Sequence, residues 1–299
     1  MKVVRPIQTD AADLVSSNVV NVYADWDSSG NTTYNTGDRV VYERSVYESL
    51  EKSNTDNPKS GSEKSTPSWT RLGYSNTWRM FREGSDSRST ATGNIDATVT
   101  PGGLVSAVGM LGLKGESVRV RLDDPNSGMV YDETKSLVDA EVSNLWDYFF
   151  LPYEIEDRAV FLDLPAYPGA DLRMEVIGAT TSSDVEFGRA VYGVSTDGGT
   201  ATADTESKIL DFSQKTRDDF GNLQLVPRRT IRLIDYAVFI DSDLVNSIQR
   251  IYRDLSATPA LYIGREDMPE TIVYGVIDRF RVIITGISVT DYSLSVEEF

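Results

Sequence analysis

The sequence predicts a mainly β protein in three consecutive parts. These are a small N-terminal three-stranded module over residues 1–73, a central antiparallel β-sandwich of jelly-roll type over 74–195, and a C-terminal α+β domain over 196–299. Three observations carry this prediction. Apolar and polar residues alternate with period two in short runs at roughly ten-residue spacing, as in half-buried strands joined by turns. Helical periodicity is read at one place, from Asp243 to about Ala257. The N-terminal part is polar overall yet concentrates aromatic residues.

Taken in order, residues 52–68 (KSNTDNPKSGSEKSTPS) lack apolar periodicity and read as a long surface loop. Leu104–Leu113 is a mostly apolar run. Val118, Val120 and Leu122 alternate with Arg119 and Arg121, a strand whose arginines face outward. The Asp123–Gly128 segment follows as a turn. Trp146–Leu151, Ala159–Leu164, the alternating Leu172, Met174 and Val176, and Val185–Val194 complete the central set. Residues 196–206 (TDGGTATADTE) have the composition of a flexible link. Ile209–Phe212 and Leu223–Val226 flank a turn at 218–222 and suggest a hairpin. Ile231–Ile240 reads as a strand. Ser242 is placed to cap a helix whose apolar face is Leu244, Ile248, Ile251 and Leu255. Ala260–Ile263, Thr271–Val276, Phe280–Thr285 and the alternating Tyr292, Leu294 and Val296 are the last strands.

The composition narrows the function. The chain has no Cys and no His. Disulfides, thiolate nucleophiles and imidazole bases or metal ligands are therefore excluded, and with them Ser-His-Asp and Cys-His mechanisms. A formal net charge of −17 repels phosphate backbones and anionic lipid, so neither nucleic acid nor membrane is an expected partner. The N-terminus (MKVVRPIQTDAADL) carries no apolar segment of signal-peptide length, and no stretch of about 18 apolar residues occurs.

The sharpest local feature is an aromatic pattern: Trp26, Tyr34, Gly37-Asp38-Arg39-Val40-Val41-Tyr42, Tyr47 and Trp69. Over about residues 23–73 this resembles the small chitin-binding modules of bacterial chitinases, which share a Trp, a Tyr-x-x-Gly-Asp-x-Val-x-Tyr block, a Tyr and a late Trp. Two roles stay open for the rings. A fold of this size needs large aromatics as core. The resemblance implies instead that rings stack on sugar, with Trp26, Tyr34, Tyr47 and Trp69 as the carbohydrate-binding candidates. The exposed rings that such modules carry after the second Tyr strand are replaced here by Ser49-Leu50-Glu51-Lys52.

Along nearly its whole length the chain also resembles a family of bacteriophage tail proteins often labelled carbohydrate-binding. The residues that carry this are the GDRVVYERSVYES block, Asn76–Phe81, Asp123–Tyr131, Asp219–Asn222, Leu255–Gly264 and Ile272–Gly275. The resemblance implies a non-enzymatic structural role in the virion tail, as ring, baseplate or hub, or fibre adaptor. It further implies partners among copies of itself and other tail proteins, and synthesis in the host cytoplasm. Recognition of a host surface glycan is the alternative. The acidic groups Asp123-Asp124, Asp197, Asp218-Asp219, Asp241 and Asp243 all fall at expected turns or a helix start, where Asp is favoured for its own hydrogen bonds. No EF-hand pattern or phosphate-binding glycine loop is present, so neither metal nor cofactor is expected.

Overall fold

The computed structural model describes residues 1–82, 87–139, 154–217, 220–283 and 289–299. The expected strand Trp146–Leu151, the pair Asp218-Asp219 and the end of Phe280–Thr285 lie outside these. The chain is mainly β, built of antiparallel sheets with a few short helices. Its contacts group it into two compact units. One holds Met1–Ile7, Val105–Val108 and Val191–Phe299, and the other Gln8–Leu104 and Gly109–Ala190.

In the first unit, Lys2–Pro6 lies between the second half of Asp184–Asp197 and Ala260–Ile263, pairing Lys2 with Asp197 on one side and with Ile263 on the other. The sheet continues through Ile272–Ile283 and Val289–Glu298 to Thr230–Asp241. The outer side of that last strand takes Thr200–Ala201 and Glu206–Asp211. Period-two alternation sends Ile234, Tyr236, Val238, Tyr292, Leu294 and Val296 into one core. The helix Val245–Asp254 covers it with Ile248 and Tyr252, and Leu255 follows just beyond the helix.

Four expectations are corrected in this unit. The helical face includes Tyr252, which is buried, whereas Leu244 is half exposed. A phenol at this position needs a partner, and Tyr252 and Tyr292 supply each other at 2.9 Å. Ser242 does not cap the helix; its hydroxyl meets Thr290 at 2.9 Å. Ile272–Val276 and the described part of the second expected strand, Phe280–Ile283, belong to one long strand, Ile272–Ile283, in which a register shift between Ile277 and Arg279 interrupts the alternation that the sequence shows. Residues 196–206 are not a flexible link. Gly198 N–H donates to the Met1 carbonyl at 3.0 Å, and Thr200–Ala201 joins the sheet. Gly199 has φ +109°, and a Cβ there would lie 2.4 Å from the Phe239 carbonyl oxygen. The glycines serve close backbone passage rather than freedom.

The second unit contains a five-stranded antiparallel sheet in the order Gly128–Ser136, Ser117–Asp124, Asp171–Ile177, Asn94–Val99, Leu14–Ser17. Val118, Val120 and Leu122 are buried as their alternation requires, beside Leu172, Met174, Val176, Ile95, Ala97 and Val99. The outward arginines are ion-paired across strands. Arg119 meets Asp132 at 2.5 Å, Arg121 meets Glu175 at 3.2 Å, and Arg173 bridges Glu175 at 3.1 Å and Asp96. Such cross-strand pairs fix register more than they add stability. Further strands, Arg158–Phe161, Ser89–Thr92 and the first half of Asp184–Asp197, bury Val160, Phe161, Val185 and Phe187.

Candidate functional site

The N-terminal aromatic module is a three-stranded antiparallel sheet of Arg39–Tyr42, Ser45–Ser49 and Trp69–Tyr74. Its core is Tyr34, Val40, Tyr47 and Trp69, with Trp26 and Tyr42 packed against it half-buried. Trp69 has no exposed surface, and its indole N–H donates to the Asp56 carbonyl at 3.0 Å. Tyr34 packs edge-on against it at 5.4 Å, and the Tyr34 hydroxyl accepts from the Asp27 backbone N–H at 2.8 Å. Burial pushes the Tyr47 phenol pKa up. Of the four rings singled out as carbohydrate-binding, Tyr34, Tyr47 and Trp69 are therefore interior. A ring enclosed on both faces offers none to a sugar. Only Trp26 keeps partial exposure, with its edge-to-face contact to Tyr42 at 5.4 Å.

The segment 52–68 is not a plain surface loop. Pro58–Ser62 forms a helical turn capped by the Asn57 side chain, which accepts from Lys59 N–H at 3.0 Å and Ser60 N–H at 3.3 Å. Asn54 is buried and donates to the Ser49 hydroxyl at 3.0 Å and the Ser68 carbonyl at 2.9 Å. A Cβ on Gly61 would lie 2.6 Å from Trp69 Cδ1, so the loop backbone itself seals the core ring. Polar composition concealed this, because the loop's order comes from hydrogen bonds and one glycine contact rather than apolar periodicity.

Two of the acidic residues, Asp124 and Asp197, bond the backbone just after them, whereas Asp241 ends a strand and makes no side-chain cap bond. Asp124 accepts the N–H groups of Asn126 at 3.1 Å and Ser127 at 2.7 Å, and Asp197 accepts from Gly199 at 2.9 Å. Among the described residues no group of three or more carboxylates is arranged to hold a metal ion. Nor is any helix there long and apolar enough to cross a membrane.

A second candidate surface lies in the first unit. The sequence pairs Ile209–Phe212 with Leu223–Val226 as a hairpin, but the partners differ. Glu206–Asp211 runs along Thr230–Asp235, with Ile209 opposite Arg232. The hairpin is instead Gln214–Arg217 with Leu223–Val226, Gln214 opposite Val226 and Arg217 opposite Leu223. Both strand pairs have suitable alternation, and only the packed sheet decides which side of the turn belongs to which ladder. From Glu206 to Arg229 every described residue except Ser213 is exposed. Ile209 is 74% exposed, Leu223 57%, Phe212 53% and Phe220 91%. Local polar bonds hold the base of this arm. Asp211 accepts from Ser213 N–H at 2.9 Å, Lys215 lies 3.0 Å from Asp211, and Arg228 N–H donates to the Ser213 hydroxyl at 3.0 Å.

An isolated two-stranded hairpin is marginally stable in water, and a long apolar strand edge templates association. An arm that leaves Ile209, Phe212, Leu223, Leu225 and Val226 in solvent has the character of an unfinished interface. Sequence reasoning found these strands but not their exposure. The available signal was charge, since basic residues cluster here in an otherwise acidic chain. No family model, curated protein or solved structure matches this chain.

Proposed function

We propose that this protein is a non-enzymatic structural component of a bacteriophage tail, a ring, baseplate or hub, or fibre-adaptor part. It acts by assembling with copies of itself and with other tail proteins, after synthesis in the host cytoplasm. The single observation that carries the assembly half of this reading is the exposed apolar arm, Glu206–Arg229, which finishes no core among the described residues. The placement in a tail is supported by the resemblance described above. The alternative, recognition of a host glycan through N-terminal aromatics, draws no support from Tyr34, Tyr47 and Trp69, whose rings are enclosed.

Gold-antibody labelling of particles from the source culture tests the proposal. Label at a fixed point on phage tails is expected, and its position separates a ring from a distal adaptor. Antigen free in the medium with no particle labelled overturns it.

A further inference from the structure

We propose that the arm Glu206–Arg229 of one copy docks into the apolar cleft edged by Asp241 on the next copy of the same chain, in a head-to-tail contact. This deepens the assembly reading above and rests on it for the claim that the partner is a second copy.

The cleft, of about 350 Å³, is lined by Asp197, Gly199, Thr200, Phe239, Ile240, Asp241 and Leu244. Phe239 and Leu244 are each 50% exposed and give the cleft an apolar wall. The Met1 ammonium donates to the Gly199 carbonyl and offsets the charge of Asp197, so Asp241 supplies the cleft's negative charge. The arm is complementary in both respects. Its apolar surface is carried by Leu223, Leu225 and Val226. Its charged residues are five basic (Lys208, Lys215, Arg217, Arg228, Arg229) and four acidic (Glu206, Asp211, Asp218, Asp219), a net of +1. The chain as a whole carries −17, which leaves −18 on the rest. Two copies so strongly acidic repel over most of their surface, and this arm is where one can approach another without that penalty.

Topology makes the contact heterologous. The arm is rooted at the Thr230–Asp235 end of the strand Thr230–Asp241, and the cleft is lined by its Phe239–Asp241 end. Glu206–Asp211 runs antiparallel to that strand, so the chain leaves it past Thr230, away from the cleft. Two different patches at opposite ends of one rigid strand cannot satisfy each other within a chain. Between chains they propagate with fixed spacing, giving a closed ring or an open stack rather than an isologous dimer.

The test uses the full chain, with sedimentation velocity across protein concentration and salt. The wild type is expected to form oligomers beyond a dimer that weaken as salt rises. Leu223→Asp together with Leu225→Asp is expected to leave it monomeric. Circular dichroism should stay unchanged, because both side chains are already solvated. Arg217→Glu alone and Asp241→Arg alone should each weaken association by about tenfold or more, and the two together should restore it. A wild type monomeric at all concentrations overturns the proposal, as does unaltered assembly of the double Asp variant or a failure of the charge swap to restore association. The tail reading is judged separately. Gold label on tails with a monomeric pure protein means that the arm's partner is a different tail protein.

Discussion

Replacing Trp69 with alanine separates a core ring from a ligand-binding ring. Trp69 is fully enclosed, sealed by Gly61 and by Tyr34 at 5.4 Å, and its N–H bond to the Asp56 carbonyl is 3.0 Å long. Truncating a buried Trp costs about 3–5 kcal/mol in transfer and cavity terms. Leaving the Asp56 carbonyl without its donor adds roughly 1 kcal/mol. A module of some 50 residues has on the order of 3–8 kcal/mol of stability in total, taken per residue. Trp69→Ala therefore removes most or all of it, and Trp69→Phe, which keeps a ring but not the N–H, removes less. The assay is hydrogen exchange read by mass spectrometry over the strands Arg39–Tyr42 and Ser45–Ser49. Protection there should collapse in the alanine variant and fall partly in the phenylalanine variant, while Val289–Glu298 keeps its protection. Unchanged protection in Trp69→Ala, coupled with loss of affinity for chitin oligomers, would refute the reasoning and make the ring a sugar contact.

Three more outcomes are expected. Gly275→Ala places a Cβ 2.1 Å from the Glu297 carbonyl oxygen and forces apart the central strands Ile272–Ile283 and Val289–Glu298, costing about 1–3 kcal/mol in a urea melt. Deleting residues 290–299 removes a strand hydrogen-bonded on both sides and should abolish the cooperative transition of the first unit; a truncated chain melting like wild type would contradict that. The Asp27 carboxylate is held at about 2 by hydrogen bonds from Ser29 and Thr32, below its ordinary 3.8. A carboxylate with a depressed folded-state pKa supports the loop fully above pH 4 and loses that support as pH falls toward 2. Trp26 fluorescence should therefore shift over that window in wild type and not in Asp27→Asn.

The class of fold was legible in the residues, and so were most strands, because a half-buried strand writes its two faces into alternate positions. The alternation of Val118, Val120 and Leu122 with Arg119 and Arg121 appears in the structure as a buried and an ion-paired face. The same held for Tyr292, Leu294 and Val296, all buried in one core. What alternation cannot carry is the identity of the neighbour. Whether Leu223–Val226 pairs with 209–212 or 214–217 depends on Thr230–Asp241 having already claimed Glu206–Asp211. That Lys2–Pro6 lies beside Ala260–Ile263, more than 250 residues away, has no local signal at all. The aromatic spacing specified three strands and a set of rings. Only packing decided that Tyr34, Tyr47 and Trp69 face inward, because a ring's chemistry is the same in a core and on a binding face. Exposure of the arm was likewise a tertiary outcome: its apolar residues match those of a buried strand, and what differs is that, among the described residues, no second layer covers them.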